Sequence, residues 1–214
     1  SLLQDAAERN GGKAINVYDI RKSCDAELCY DFSAAEAFLN RKDVQEAFGV
    51  SKKWEMCDAS VHQDMMGDWM HDYETLIPDM IEAGIRVMIY AGEDDFICNW
   101  LGNLRWVKAM EWSGRESFNA AHPEPFIIQG AGDGVDDIVG GDVREHGGLS
   151  FVKISEAGHM VPLDQPRNAL TMIQRFVNGE PIARGRSVEE PTFAAAPRRF
   201  GPVTDDARLA VATQ

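Results

Sequence analysis

Seven consecutive residues, Ile85-Arg86-Val87-Met88-Ile89-Tyr90-Ala91, constrain the fold of this chain more than any other stretch. The run is apolar, rich in β-formers and free of turn residues, and it stops at Gly92-Glu93-Asp94-Asp95. A run of this length reads as a strand covered on both faces, the kind found at the centre of a parallel sheet. On its N-terminal side, Trp69, Tyr73, Leu76, Ile77, Met80 and Ile81 recur at helical spacing. They predict an amphipathic helix over 68–83, broken or kinked at Pro78 and closed by Gly84. Downstream, the pattern predicts a helix over 99–110, strands at 125–129 and 149–154 across a Gly- and Asp-rich stretch at 130–142, a loop at 156–159 and a helix over 166–177. Upstream, residues 33–48 read as helices, with Ser33 as cap and Gly49 as stop. Residues 50–66 read as irregular. Helices alternating with strands predict an α/β fold with a mostly parallel sheet flanked by helices.

In such sheets chemistry gathers at the carboxyl ends of the strands. Two ionisable residues stand there, Asp95 after one strand and His159 after another. A carboxylate can hold an imidazole in one tautomer and stabilise its charged form, leaving the ring to act as a base toward a hydroxyl. Asp before His suits the Ser…Asp…His order of α/β-hydrolases. The nucleophile in that arrangement sits in a Gly-x-Ser-x-Gly elbow between a strand and a helix. Ser113, Ser117, Ser150 and Ser155 all lack that frame. The first residues, Ser1 to Asn10, have no Met, no basic segment and no apolar segment, and read as the middle of a helix. The expectation is a piece of a longer chain whose upstream part carries the nucleophile.

Composition narrows the partners. The 214 residues carry 21 Lys+Arg against 35 Asp+Glu, a formal net charge of −14. Such a surface repels phosphate backbones and anionic lipid, so neither nucleic acid nor membrane is expected as a partner. Of four cysteines, Cys24 and Cys29 are separated by four residues. They suit either a tight disulfide, which would imply an oxidising compartment, or part of a zinc site, although no further ligands lie at zinc spacing. Cys57 and Cys98 stay open as paired, free or joined to another chain. His62, His71, His122 and His146 show no ligand spacing, and Met56, Met65, Met66 and Met70 read as gap fillers.

Three blocks resemble the serine carboxypeptidases, the carboxypeptidase Y group most of all. They are Asn16-Val17-Tyr18-Asp19-Ile20-Arg21-Lys22 with Cys24 and Cys29-Tyr30, Tyr90 to Asn103, and Gly158-His159-Met160-Val161-Pro162-Leu163-Asp164-Gln165-Pro166. The resemblance covers roughly residues 1–180. It implies an α/β-hydrolase fold, here its C-terminal half with part of a helical cap. Residues 1–66 would be the later part of the cap and 67–180 the hydrolase core; residues 181–214, rich in Pro, Ala, Arg and Thr with little periodicity, read as a disordered tail. Asp95 would be the triad acid and His159 the triad base. Cys98 would be a buried free thiol lining the leaving-group subsite, with Met160, Tyr18 and Tyr30 around it; Met160 and the two tyrosines also suit plain core packing. Cys24–Cys29 would be a short disulfide, and Cys57 would be unpaired within this piece.

The implied activity is release of C-terminal amino acids from peptides or proteins through an acyl-enzyme. The same triad also serves acyl transfer and hydroxynitrile cleavage, and a catalytically inactive fragment is a further alternative. The resemblance implies no metal and no organic cofactor, the missing N-terminal half as partner, and a vacuolar, lysosomal or secreted location.

Overall fold

A computed structural model describes residues 15–24, 28–130 and 136–184. The helix expected over the first ten residues lies outside them, as do residues 185–214 of the expected tail.

The described sheet has four strands, β1 (Val87–Gly92), β2 (Glu124–Ile128), β3 (Ile138–His146) and β4 (Leu149–Ile154), in the order β1-β4-β3-β2. β1 and β4 run parallel, with Val87 opposite Leu149 and Gly92 opposite Ile154. β3 is antiparallel to both β4 and β2, so this sheet is mixed. β3 was not foreseen, because the stretch containing Gly140, Gly141 and Asp142 lacks strand-like patterning. Those glycines are what pairing requires: a side chain on Gly141 would collide with the Lys153 carbonyl of β4. Gly147 and Gly148, both at positive φ, close the hairpin to β4.

β4 is the strand most fully buried on both faces. Leu149 and Phe151 point into one core layer, Val152 and Ile154 into the other, following the period of two. One layer gathers Phe126, Ile128, Val143, Met172 and Ile182 beneath helix α8 (Pro166–Asn178). The opposite layer gathers Ile81, Val107, Met110 and Phe118 from α4 (Ile77–Glu82), α5 (Trp100–Ala109) and α6 (Arg115–Ala120). Full burial of each large side chain contributes about 1.5–3 kcal/mol. β1, expected at the centre, is an edge among the described residues, and Tyr90 is 41% exposed on it.

Helix boundaries shift where local chemistry competes. The expected helix over 68–83 shortens to a 3₁₀ turn at Tyr73–Leu76 and α4, since Pro78 starts a helix more readily than it continues one. Trp69, Tyr73, Leu76 and Met80, expected on its apolar face, are exposed. Helices α1 (Ser33–Leu39) and α2 (Lys42–Phe48) divide at Asn40-Arg41. Ser33 lies inside α1, where its amide donates to Asp31 Oδ1. Residues 59–65, expected to be irregular, form α3 (Ala59–Met65), because Asp58 accepts from the Ser60 and Val61 amides. None of α1–α3 buries a residue, and Met56, Met65, Met66 and Met70 are exposed instead of filling gaps.

Residues 181–184 are not tail. Ile182 and Ala183 are buried, the Ile127 amide donates to the Ala183 carbonyl, and the buried Arg175 guanidinium donates to the carbonyls of both. Ile182→Ala is therefore expected to cost about 2–5 kcal/mol of stability, read as a lower urea midpoint at unchanged slope.

Candidate active site

Parallel pairing of β1 with β4 brings the chain out of both strands on the same side of the sheet. Asp95 follows β1 by three residues and His159 follows β4 by five. Their loops interlock: the Glu93 amide donates to the Ile154 carbonyl and the Asp94 amide to the Ala157 carbonyl. His159 Nδ1 lies 2.9 Å from Asp95 Oδ2. The Asp95 side chain is 4% exposed and that of His159 is 39% exposed. Asp95 Oδ1 accepts from the Cys98 amide at 3.0 Å, so the carboxylate is fixed on both oxygens. With its proton on Nδ1, the ring donates to Asp95 and keeps a lone pair on Nε2 that can accept a proton.

A third segment walls the pair. The Tyr18 carbonyl accepts from the His159 amide at 2.7 Å, and the two rings tilt together with centroids 5.4 Å apart. Any side chain on Gly158 would collide with the Tyr18 carbonyl, so only glycine lets the backbones pass. Tyr30 packs on Tyr18 at 5.8 Å, and Met160, next in sequence to His159, leads into α7 (Val161–Asp164). Of the expected neighbours, Tyr18 touches the His159 ring and the Cys98 sulfur lies within 4.8 Å of its donor atom, while Tyr30 stands behind Tyr18. Cys98 is a free thiol but exposed, not buried, because no described side chain closes over it. Partial desolvation, then the Asp95 charge, raise the Cys98 pKa, so the sulfur stays a thiol near neutral pH. Donor atoms of Asp95, Cys98 and His159 all lie within 4.8 Å of one another and form the one such cluster among the described residues.

Cys24 and Cys29 form a disulfide with Cα atoms 4.4 Å apart, which settles the alternatives left open for them. Cys57 is free and exposed.

The charged residues behind this rim carried no assignment in the sequence. Glu93 pairs with Lys153 at 2.9 Å and Asp94 with Arg21 at 3.1 Å. Asp19 is fully buried and holds Arg21 in a two-pronged bond, at 2.9 and 2.7 Å, and Lys22 at 3.1 Å. Alternating charge in Tyr18-Asp19-Ile20-Arg21-Lys22 was the available signal. Burial alone would raise the Asp19 pKa, but the bonds from Arg21 and Lys22 outweigh it and bring it from 3.8 to about 2.

A helix-flanked sheet with a carboxylate–imidazole pair past its parallel strands has the α/β-hydrolase fold. The fold is shared with a prohormone-processing carboxypeptidase from Saccharomyces cerevisiae, which superposes with a TM-score of 0.66 over 78% of this chain and 36% of that one, at 22% identity. The family model for serine carboxypeptidase matches residues 3–179, and the chain belongs to that family. It is 50% identical to serine carboxypeptidase 3 of Oryza sativa subsp. japonica over 183 residues, covering 84% of this chain and 35% of that protein. It is 48% identical to serine carboxypeptidase 3 of Triticum aestivum over 184 residues, 85% of this chain and 35% of that one. A serine carboxypeptidase-like protein of Pisum sativum is 47% identical over 179 residues, 83% of this chain and 59% of that one. The chain thus spans about a third of the length of the rice and wheat relatives.

Because Asp19 titrates lower in the folded chain than in the unfolded one, its stabilisation is complete above about pH 4 and is lost as the pH falls through its folded value. Asp19→Asn is expected to lower stability at neutral pH and to flatten the acid limb, both read by tryptophan fluorescence across an acid titration.

Proposed function

We propose that this chain supplies the acid and base of a serine carboxypeptidase, Asp95 and His159, and that the serine nucleophile and the oxyanion-hole amides come from an upstream part. The observation that carries this reading is the 2.9 Å bond between His159 Nδ1 and the buried Asp95 carboxylate, at the carboxyl ends of adjacent parallel strands. The serine attacks the last peptide carbonyl, and His159 Nε2 takes its proton. His159 then returns the proton to the departing amino acid, and water releases the acyl group by the same route. Asp95 holds the ring and balances its charge. Tyr18, Tyr30, Met160 and Cys98 wall the space beside the imidazole and contact the departing residue. Cys98, held as a thiol, packs and does not attack.

The upstream part is also the partner that the sheet calls for. The outer edge of β1 pairs with no described strand, although its sequence is that of a covered one. Exposed α1–α3 would belong to the cap above the site, and residues 67–180 to the core. The Cys24–Cys29 disulfide favours an oxidising compartment, vacuolar, lysosomal or secretory.

A blocked dipeptide tests the reading. The 214-residue chain alone is expected to release no amino acid. The complete protein is expected to release one, and Asp95→Asn in it to lower kcat by about 10⁴-fold by favouring the wrong tautomer. Release by the chain alone would overturn the assignment of the nucleophile elsewhere. Turnover of acyl-glucose donors in preference to peptides would point to acyl transfer.

A further inference from the structure

Behind the Asp95–His159 pair lies a charge cluster that the reaction as described does not use. Asp19, Asp94 and Asp164 face Arg21 and Lys22, three carboxylates against two cations. The three acids come from three separate segments. Asp94 directly precedes Asp95. Asp164 is 4% exposed at its side chain, and its Oδ2 accepts from the amide of Gly158, the residue before His159, at 2.8 Å. Asp19 sits in the segment whose Tyr18 carbonyl holds the His159 amide. Arg21 reaches all three. It forks onto Asp19, its Nε lies 3.1 Å from Asp94 Oδ2, and its Nη2 lies 3.9 Å from Asp164 Oδ2. Lys22 closes the remaining side by bonding Asp164 and Asp19.

We propose that Arg21 is a positioning residue for the Asp95–His159 pair, clamping the loop that carries the carboxylate to the loop that carries the imidazole. Without the guanidinium, Asp94 and Asp164 each face a buried carboxylate with one cation fewer, and like charges there push the two loops apart. Burial already holds the Asp94 carboxyl above its ordinary range, with Arg21 pulling it down and Asp19, Glu93 and Glu156 adding repulsion. Lys in place of Arg would keep one charge but could not fork onto Asp19 while also reaching Asp94.

The role rests on the catalytic reading of the pair, but its geometry can be observed without turnover. The probe is the low-field proton resonance of His159 Nδ1–H, which reports the bond to Asp95. In the 214-residue chain, Arg21→Gln is expected to lose or broaden this signal while the amide spectrum of β4 stays folded. Arg21→Lys is expected to retain part of it. Arg41→Gln, which breaks an exposed pair with Asp43, is expected to leave it intact. Should Arg21→Gln fail to fold, Arg21→Lys is read alone, and a weakened signal supports the clamp. An unchanged signal in the folded Arg21 variants, or an equal loss in Arg41→Gln, overturns it. In the complete protein, Arg21→Gln should lower kcat about 10- to 100-fold with KM within about twofold, partly restored in Arg21→Lys; an unchanged kcat also overturns the clamp. If the unsubstituted complete protein cleaves no peptide while the Nδ1–H signal still depends on Arg21, the peptidase reading fails and the clamp stands.

Discussion

The parallel register of β1 on β4 is the constraint from which the rest of this structure follows. Setting Gly92 opposite Ile154 delivers two loops to the same end of the sheet, one after each strand. Nothing in the separation of Asp95 and His159 along the chain would make them meet. Hydrogen bonds between the loops then remove the remaining freedom, and the imidazole lands within bonding distance of the carboxylate. A parallel pair is well suited to this, because both carboxyl ends emerge together and the connection between them can be long.

The surroundings of the pair divide the work between apolar and charged contacts. Tyr18 tilts its ring against that of His159, and Tyr30 packs on Tyr18. Asp19, Arg21, Lys22, Asp94 and Asp164 lie one layer back and bind three chain segments with charge. Buried ion pairs are weak instruments for stability but demanding ones for geometry, since a misplaced partner leaves a costly unpaired charge. The proton transfers proposed for His159 would need that precision more than extra stability.

Much of the fold was legible in the letters where one local signal dominated. The helix after Pro166 and the strand at 149–154 lie close to their expected places, because a strong period and clear end signals agree. β3 was hidden because its glycines serve a neighbouring strand instead of their own propensity. An apolar run likewise records that a strand is meant to be covered, not which strand covers it. β1 carries that signature and yet borders the described sheet, while β4 is buried on both faces.

The sequence by itself determined most of the element types, the family, and the two residues, Asp95 and His159, whose chemistry a carboxylate and an imidazole past two strands make possible. Those depend on local pattern and on motifs that survive in linear order. Only the tertiary structure decided that these side chains bond, that Cys98 stands open beside them, and that Arg21 spans the segments carrying Asp19, Asp94 and Asp164. Contacts of that kind join residues far apart in the chain, and their energies depend on burial and direction, which the order of residues does not record.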